Sequence, residues 1–322
     1  MASQRGAVLI IVLAMLALLM TIAVGLGDRV RFAVRMTQNQ ATGDQAFWYL
    51  LSAEQLAAAA IETSVRVEPA RATRRSLWAL GTRSLPVERG IVDARIGDGG
   101  NCFNVNSLVQ QDDDGEQLNP VAYREYLRLL AGLNIVGAAR AALADSLVDW
   151  IDHNDIPRPF GAETVARAGT HIPVPNALLG ATDSMAYIPG YTAELLEQLQ
   201  PLLCALPDAQ PSTLNINLLT PAQAPLLAML GEDLPDLATL EHLLAAPPGD
   251  GFNNVDEFWQ GAVFNGRQID EDIRRRTAVK TTYFQVTTQV RLDDQVYAGT
   301  ALLKLRNGNR VELLRRTLGE AL

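Results

Sequence analysis

Residues 7–27, AVLIIVLAMLALLMTIAVGLG, contain no charged side chain. A helix rises about 1.5 Å per residue, so a run of this length crosses a hydrocarbon core of about 30 Å. It is also longer than the 7–15-residue apolar region usual in cleaved secretory signals, and only MASQRG precedes it. The spacing predicts a membrane-spanning helix. Helical spacing continues into residues 28–63, where Phe47, Leu50, Leu51, Ala53, Leu56, Ala57, Ala58 and Ile61 form a mostly apolar face. One long helix is expected, its first half in the membrane and its second half packed on a folded body.

Charge does not settle which way the helix crosses. Arg5 and the amino terminus precede the span; Arg29, Arg31 and Arg35 follow it, offset by Asp28. The positive-inside rule taken alone favours an inward-facing body.

The body is acidic, with a formal net charge of -9 over the chain. An acidic surface repels phosphate backbones, which argues against nucleic-acid binding. His153, His171 and His242 show no ligand spacing, and Cys102 with Cys204 cannot alone make a zinc site. Outside the cytoplasm the two cysteines are expected to form a disulfide; two buried thiols are the alternative. No phosphate loop of the GxxxxGK type is present, and Ser184 lacks a nucleophile-elbow context. A catalytic role is not expected.

Strand alternation marks residues 90–98 and 281–289, and the latter runs on through a turn at 293–295 into VYAGTALLKLR. Asn307-Gly308-Asn309 is a hairpin signal before RVELLRR. Between the two strand regions, residues 123–131, 138–151, 193–203, 221–230 and 235–246 carry helical spacing. Thr220-Pro221 and Leu234-Pro235 suit helix starts. The expected fold class is α+β: a long N-terminal helix packed on a small antiparallel sheet, with a large inserted all-α domain. The expected divisions are 1–6 leader, 7–27 membrane half of the helix, 28–106 helix and first strands, 107–276 helical insert and 277–322 closing strands.

Gln4-Arg5-Gly6 before Ala7-Val8-Leu9-Ile10-Ile11 resembles a prepilin peptidase site. LVDWID (147–152) with Pro159 and Gly161-Ala162-Glu163, YIPGYT (187–192) and LNINLLTP (214–221) resemble the insert of the K-type minor pseudopilins of the type II secretion system, and the likeness extends over essentially the whole chain. Cys102 and Cys204 also stand in family-like contexts. The fifth position after Gly6 is Ile11, where most pilins carry glutamate. A carboxylate in an apolar filament core needs a partner; by the resemblance, its absence marks a subunit with no neighbour above it.

The resemblance implies cleavage between Gly6 and Ala7, methylation of Ala7, an inner-membrane anchor and a periplasmic body. It implies a non-enzymatic subunit at the tip of the pseudopilus that primes assembly for export of folded proteins. The implied partners are the I- and J-type minor pseudopilins, the major pseudopilin, the prepilin peptidase and exported substrates. The alternatives are a minor pilin of a type IV pilus or DNA-uptake machine, and a membrane-anchored periplasmic enzyme.

Calcium is a trait of the K type. Here Asp152, Asn154 and Glu163 match positions 1, 3 and 12 of a calcium loop, and Asp155 adds an oxygen donor. Pro157 stands where an EF-hand needs glycine, so any site is of another type. Residues 112–116, DDDGE, are a second acidic candidate, with a solvated loop as the alternative. Ile188-Pro189-Gly190-Tyr191 resembles the hairpin of helix-hairpin-helix modules, but Glu194 and Glu197 flank it, and it is expected to pack rather than bind DNA.

Overall fold

The computed structural model describes residues 4–112, 115–167, 170–307 and 309–320. Helix α1 (Gln4–Val67) runs unbroken from the apolar N-terminal segment into the body. The chain then lays down β1 (Arg83–Val87) and β2 (Gly90–Asp98). Short strands follow: β3 (Phe103–Asn104), β4 (Val109–Asp112), β5 (Gly115–Leu118), β6 (Thr164–Arg167), β7 (Thr170–Pro173), β8 (Leu203–Cys204), β9 (Leu214–Asn215) and β10 (Thr277–Ala278). The long strands β11 (Tyr283–Leu292), β12 (Gln295–Arg306) and β13 (Arg310–Glu320) come last.

One antiparallel sheet, ordered β1-β2-β11-β12-β13, packs against the second half of α1. In β11 the alternation does the sorting: Phe284, Val286, Val290 and Leu292 are buried, while Gln285, Thr287 and Arg291 face out. The buried side of α1 is Ala46, Leu50, Ala53, Ala57 and Ile61, a stripe at helical period. It meets Val92, Val290 and Leu292 at one end of the sheet and Phe284, Val286, Ala301 and Leu303 at the other. Small residues at 46, 53 and 57 let the helix lie close to the strands. Phe47 and Leu56, expected on the packed face, are exposed, because the stripe is narrower than the apolar set. Arg316 of β13 makes a two-pronged ion pair with the buried Glu54 of α1, at 2.7 and 2.8 Å, pinning the sheet edge to the helix.

Between β2 and β11 lies a mainly helical region: α2 (Pro120–Gly132), α3 (Ala138–Ile151), α4 (Ala193–Leu199), α5 (Ala224–Ala228), α6 (Leu237–Ala245), α7 (Val255–Trp259) and α8 (Glu271–Arg275). Asn119 caps α2 by accepting from the Val121 and Ala122 N–H groups, with Pro120 in the first turn. The helices share their own core, in which Phe103, Tyr126, Leu129, Leu147, Ile151, Met185 and Leu199 are fully enclosed. Each such side chain contributes about 1.5–3 kcal/mol relative to exposure. Tyr191, in the hairpin noted above, is buried; its hydroxyl meets that of Tyr126 at 2.7 Å and donates to the Leu143 carbonyl at 3.0 Å. Gly190 turns there at φ 92°. That hairpin is a packing element.

The insert is held where it leaves the sheet. Gly99 N–H donates to the Tyr283 carbonyl at 2.7 Å. Asp98 accepts from the Gly100 and Asn101 N–H groups at 2.8 Å each and from the Thr281 hydroxyl at 2.5 Å. Burial pushes this carboxyl up to about 6 against those three donors. Cys102 and Cys204 are bridged, with Cα atoms 5.7 Å apart, beside the parallel pair β3–β8. The parallel pair β9–β10 ties the second half in the same way.

Candidate functional site

The loop after α3 carries the acidic residues that the sequence singles out. Asp145, Asp149 and Asp152 follow one another at four and three residues, so they line one side of α3 and its C-cap. All three are buried. Asp145 accepts from Arg158 Nε and the Tyr123 hydroxyl at 2.7 Å each, and from the Phe160 N–H at 3.2 Å. The Arg158 guanidinium lies 4.9 Å from the centre of the Tyr123 ring. Asp149 accepts from the Arg158 N–H at 3.2 and 3.1 Å. These contacts fold residues 153–163 back against the helix end. Gly161 lies so close that a Cβ there would sit 2.0 Å from Asp149 Oδ2, so any side chain would displace the Asp149 carboxylate.

Glu163 ends this loop, its carbonyl accepting from the Val174 N–H at 3.0 Å. Both its carboxylate oxygens are buried and have no hydrogen-bond partner among the described residues; the same holds for Asn176 Oδ1. Burial first, then the charges of Asp149, Asp152 and Asp155, pushes Glu163 up to about 7. Burial likewise raises Asp149 to about 6, opposed by the Arg158 N–H and reinforced by Asp152 and Asp145. Glu163 and Asp149, both raised by burial and by neighbouring carboxylates, offer the hard oxygen donors that a divalent ion takes.

Asp152 caps α3 and is 6% exposed. Asp155 is exposed and accepts from Asn176 Nδ2 at 2.9 Å. Asn154 Oδ1 is engaged in a local turn, accepting from the Ile156 N–H at 2.8 Å. Asp149 and Asn176 join the cluster although the calcium-loop spacing did not name them; the helical spacing from Asp145 to Asp152 is the signal that finds Asp149. Among the described residues, no three His, Cys, Asp or Glu side chains converge into a ready coordination group. Of the second acidic stretch, Asp113 and Asp114 lie outside the described residues.

At the other end of the chain, Gly6 and Ala7 lie in the first turns of α1. Ile11 is 57% exposed on its outer surface, far from the folded body. The helix has a mean hydropathy of 2.9 in its most apolar window and none of that window is buried, so it fits a single-pass anchor.

Two family models, both described as type II secretion system protein K, match residues 101–208 and 214–280. Type II secretion system protein K of Pectobacterium carotovorum subsp. carotovorum is 30% identical, over 98% of this chain and 97% of the relative. The protein of the same description from Klebsiella pneumoniae is also 30% identical, over 98% and 97%. The crystal structure of the GspK-GspI-GspJ complex from the enterotoxigenic Escherichia coli type 2 secretion system superposes with a TM-score of 0.77. That alignment is 26% identical and covers 88% of this chain and 99% of the matched one.

Proposed function

Since this chain belongs to the type II secretion system protein K family, a family of minor pseudopilins, we propose that it caps the tip of the pseudopilus and primes its assembly for export of folded proteins across the outer membrane. The observation that carries this reading is the pairing of an exposed apolar α1 with a body enlarged by a helical insert. The apolar half supplies the surface by which subunits associate in the inner membrane. Ile11 removes the carboxylate that would need a partner from a subunit above, and the bulk of the insert, standing in the periplasm, leaves no room for that subunit. The structural match within a GspK-GspI-GspJ complex supports I- and J-type minor pseudopilins as partners; the proposed tip position itself would put the major pseudopilin below and exported substrates above. The role is structural and needs no catalytic group.

The processing step gives the test. Prepilin peptidase is expected to cut between Gly6 and Ala7 and methylate the Ala7 amino group. The mass of the N-terminal peptide from membranes should begin at methylated Ala7, and only when the peptidase is present. An intact Met1, or a cut near Gly25, would remove the pseudopilin reading.

The loop after α3 is proposed to hold a structural calcium ion through Asp149, Asp152, Asp155, Glu163 and the Asn176 side-chain oxygen. Calcium would supply the positive charge that these carboxylates lack and lock the loop to the helix end. At a hundredfold excess over Kd, calcium should raise Tm by roughly 5 °C or more. Glu163→Gln and Asp149→Asn should each remove most of that rise. A wild-type Tm that ignores calcium, or variants that respond in full, would remove the site.

A further inference from the structure

The part of α1 just beyond the membrane span stands clear of the body until Asn39, whose side-chain oxygen accepts from Gln295 Nε2 at 3.4 Å. Every residue from 28 to 41 is exposed, and Thr42 is the first to be buried. Its first nine residues, DRVRFAVRM, alternate arginine with apolar side chains. Val30, Phe32, Val34 and Met36 are 62%, 71%, 49% and 63% exposed. Asp28 is the one acid, 3.9 Å from Arg31; Arg29 and Arg35 have no ion pair among the described residues. Such a sequence is poorly suited to open water and too charged for hydrocarbon. The layer that takes both kinds of group is the headgroup region, which extends about 5–7 Å beyond each face of the core.

We propose that residues 28–36 form a collar in which Arg29, Arg31 and Arg35 bind the phosphates of anionic phospholipids while Val30 and Phe32 lodge among the glycerol groups. The proposal rests on the membrane-anchor reading of residues 7–27 and extends it outward without a break in the helix. With the core ending at Gly27, Arg29 and Arg31 stand about 3 and 6 Å above its face, within the headgroup layer, and the Arg35 backbone about 12 Å, beyond that layer. Helical side chains lean toward the N-terminus, here toward the membrane, so the long Arg35 stem reaches back. At about 100° per residue Arg31 and Arg35 share one side of the helix and Arg29 lies on the other, so the phosphates are held from two sides. The acidic body is itself repelled by an anionic surface. Attraction is therefore confined to the collar, which also gives a use to arginines on the side of the span where the charge rule disfavours them.

The test compares the full chain with R29Q/R31Q/R35Q in phosphatidylcholine vesicles with and without phosphatidylglycerol. Association of spin-labelled phosphatidylglycerol against spin-labelled phosphatidylcholine is read together with flotation. Wild type should favour the anionic lipid at least about fivefold, the equivalent of one fully engaged arginine. The triple variant should approach parity while still floating with the vesicles. Equal preference in the two chains, or none in wild type, would overturn the collar. So would a variant that keeps the lipid preference but loses its partner pseudopilins, since the arginines would then serve protein acids. Failure of both chains to float would bring down the anchor reading, and the collar with it.

Discussion

Replacing Cys102 and Cys204 together with alanine is expected to lower the unfolding free energy by about 4 kcal/mol. The bridge joins residues 102 apart in sequence, and a cross-link over so long a loop removes many conformations from the unfolded chain. The folded state should change little, because other contacts hold the same junction. Phe103 N–H donates to the Leu202 carbonyl at 2.7 Å. Asn104 Nδ2 donates to the Asp208 and Gln210 carbonyls at 2.8 Å each, and its Oδ1 accepts from the Leu206 N–H at 3.0 Å. Denaturant unfolding of both chains, with circular dichroism as the probe, reads the difference. A loss under about 1 kcal/mol would mean that the reduced chain stays nearly as constrained as the bridged one.

Glu125→Ala should cost about 3–5 kcal/mol. Glu125 on α2 pairs with Arg276, which follows α8, and both side chains are largely enclosed, at 4% and 14% exposure. Arg276 also donates to the Ser212 carbonyl through Nε at 3.2 Å, and its own carbonyl accepts from the Leu214 N–H at 2.8 Å. The pair thus fastens the first helix of the insert to its last turn. Removing the carboxylate leaves a guanidinium charge in an apolar setting, and that stranded charge is what makes the loss large. A Glu125→Leu, Arg276→Met chain removes both charges and should recover most of the stability. If the double variant unfolds as easily as Glu125→Ala, shape rather than charge governs the site.

Much of the fold is legible in residue order because period and position agree. The uncharged run through Gly27 and the alternation of residues 283–292 each have one reading. The turn at Asp293-Asp294 also does, and Asp293 adopts φ 50° there. Residues 138–151 form α3 over the span that helical spacing gives. Less legible are features made by distant partners. The helix expected over 193–203 stops at Leu199, two residues before Pro201, and Leu203 and Cys204 pair instead with Phe103 and Asn104 beside the disulfide. The segment 221–230 is split into a tight turn, Pro221–Gln223, and α5, since Pro225 interrupts the N–H ladder. The acidic cluster was half visible. Calcium-loop spacing finds Asp152, Asn154 and Glu163, with Asp155 as an added oxygen donor, whereas Asn176 enters only because the loop folds back, and Gly161 meets Asp149 only in the folded loop.

β2 and β11 are adjacent antiparallel neighbours, with Asp98 opposite Phe284. By topology they are the arms of a hairpin, and the whole helical insert is its loop. This bears on the order of folding. An unstructured loop of that length brings its ends together slowly. Once the insert has formed around its own core, Asn101 Nδ2 donates to the Asn215 carbonyl at 3.1 Å, and Asn215 in turn pairs with Ala278 across β9 and β10. Those contacts already bring the ends of the two arms side by side. The central pair of the sheet then zips from a preassembled corner, so newly exported chains would acquire the insert first and the sheet against α1 last.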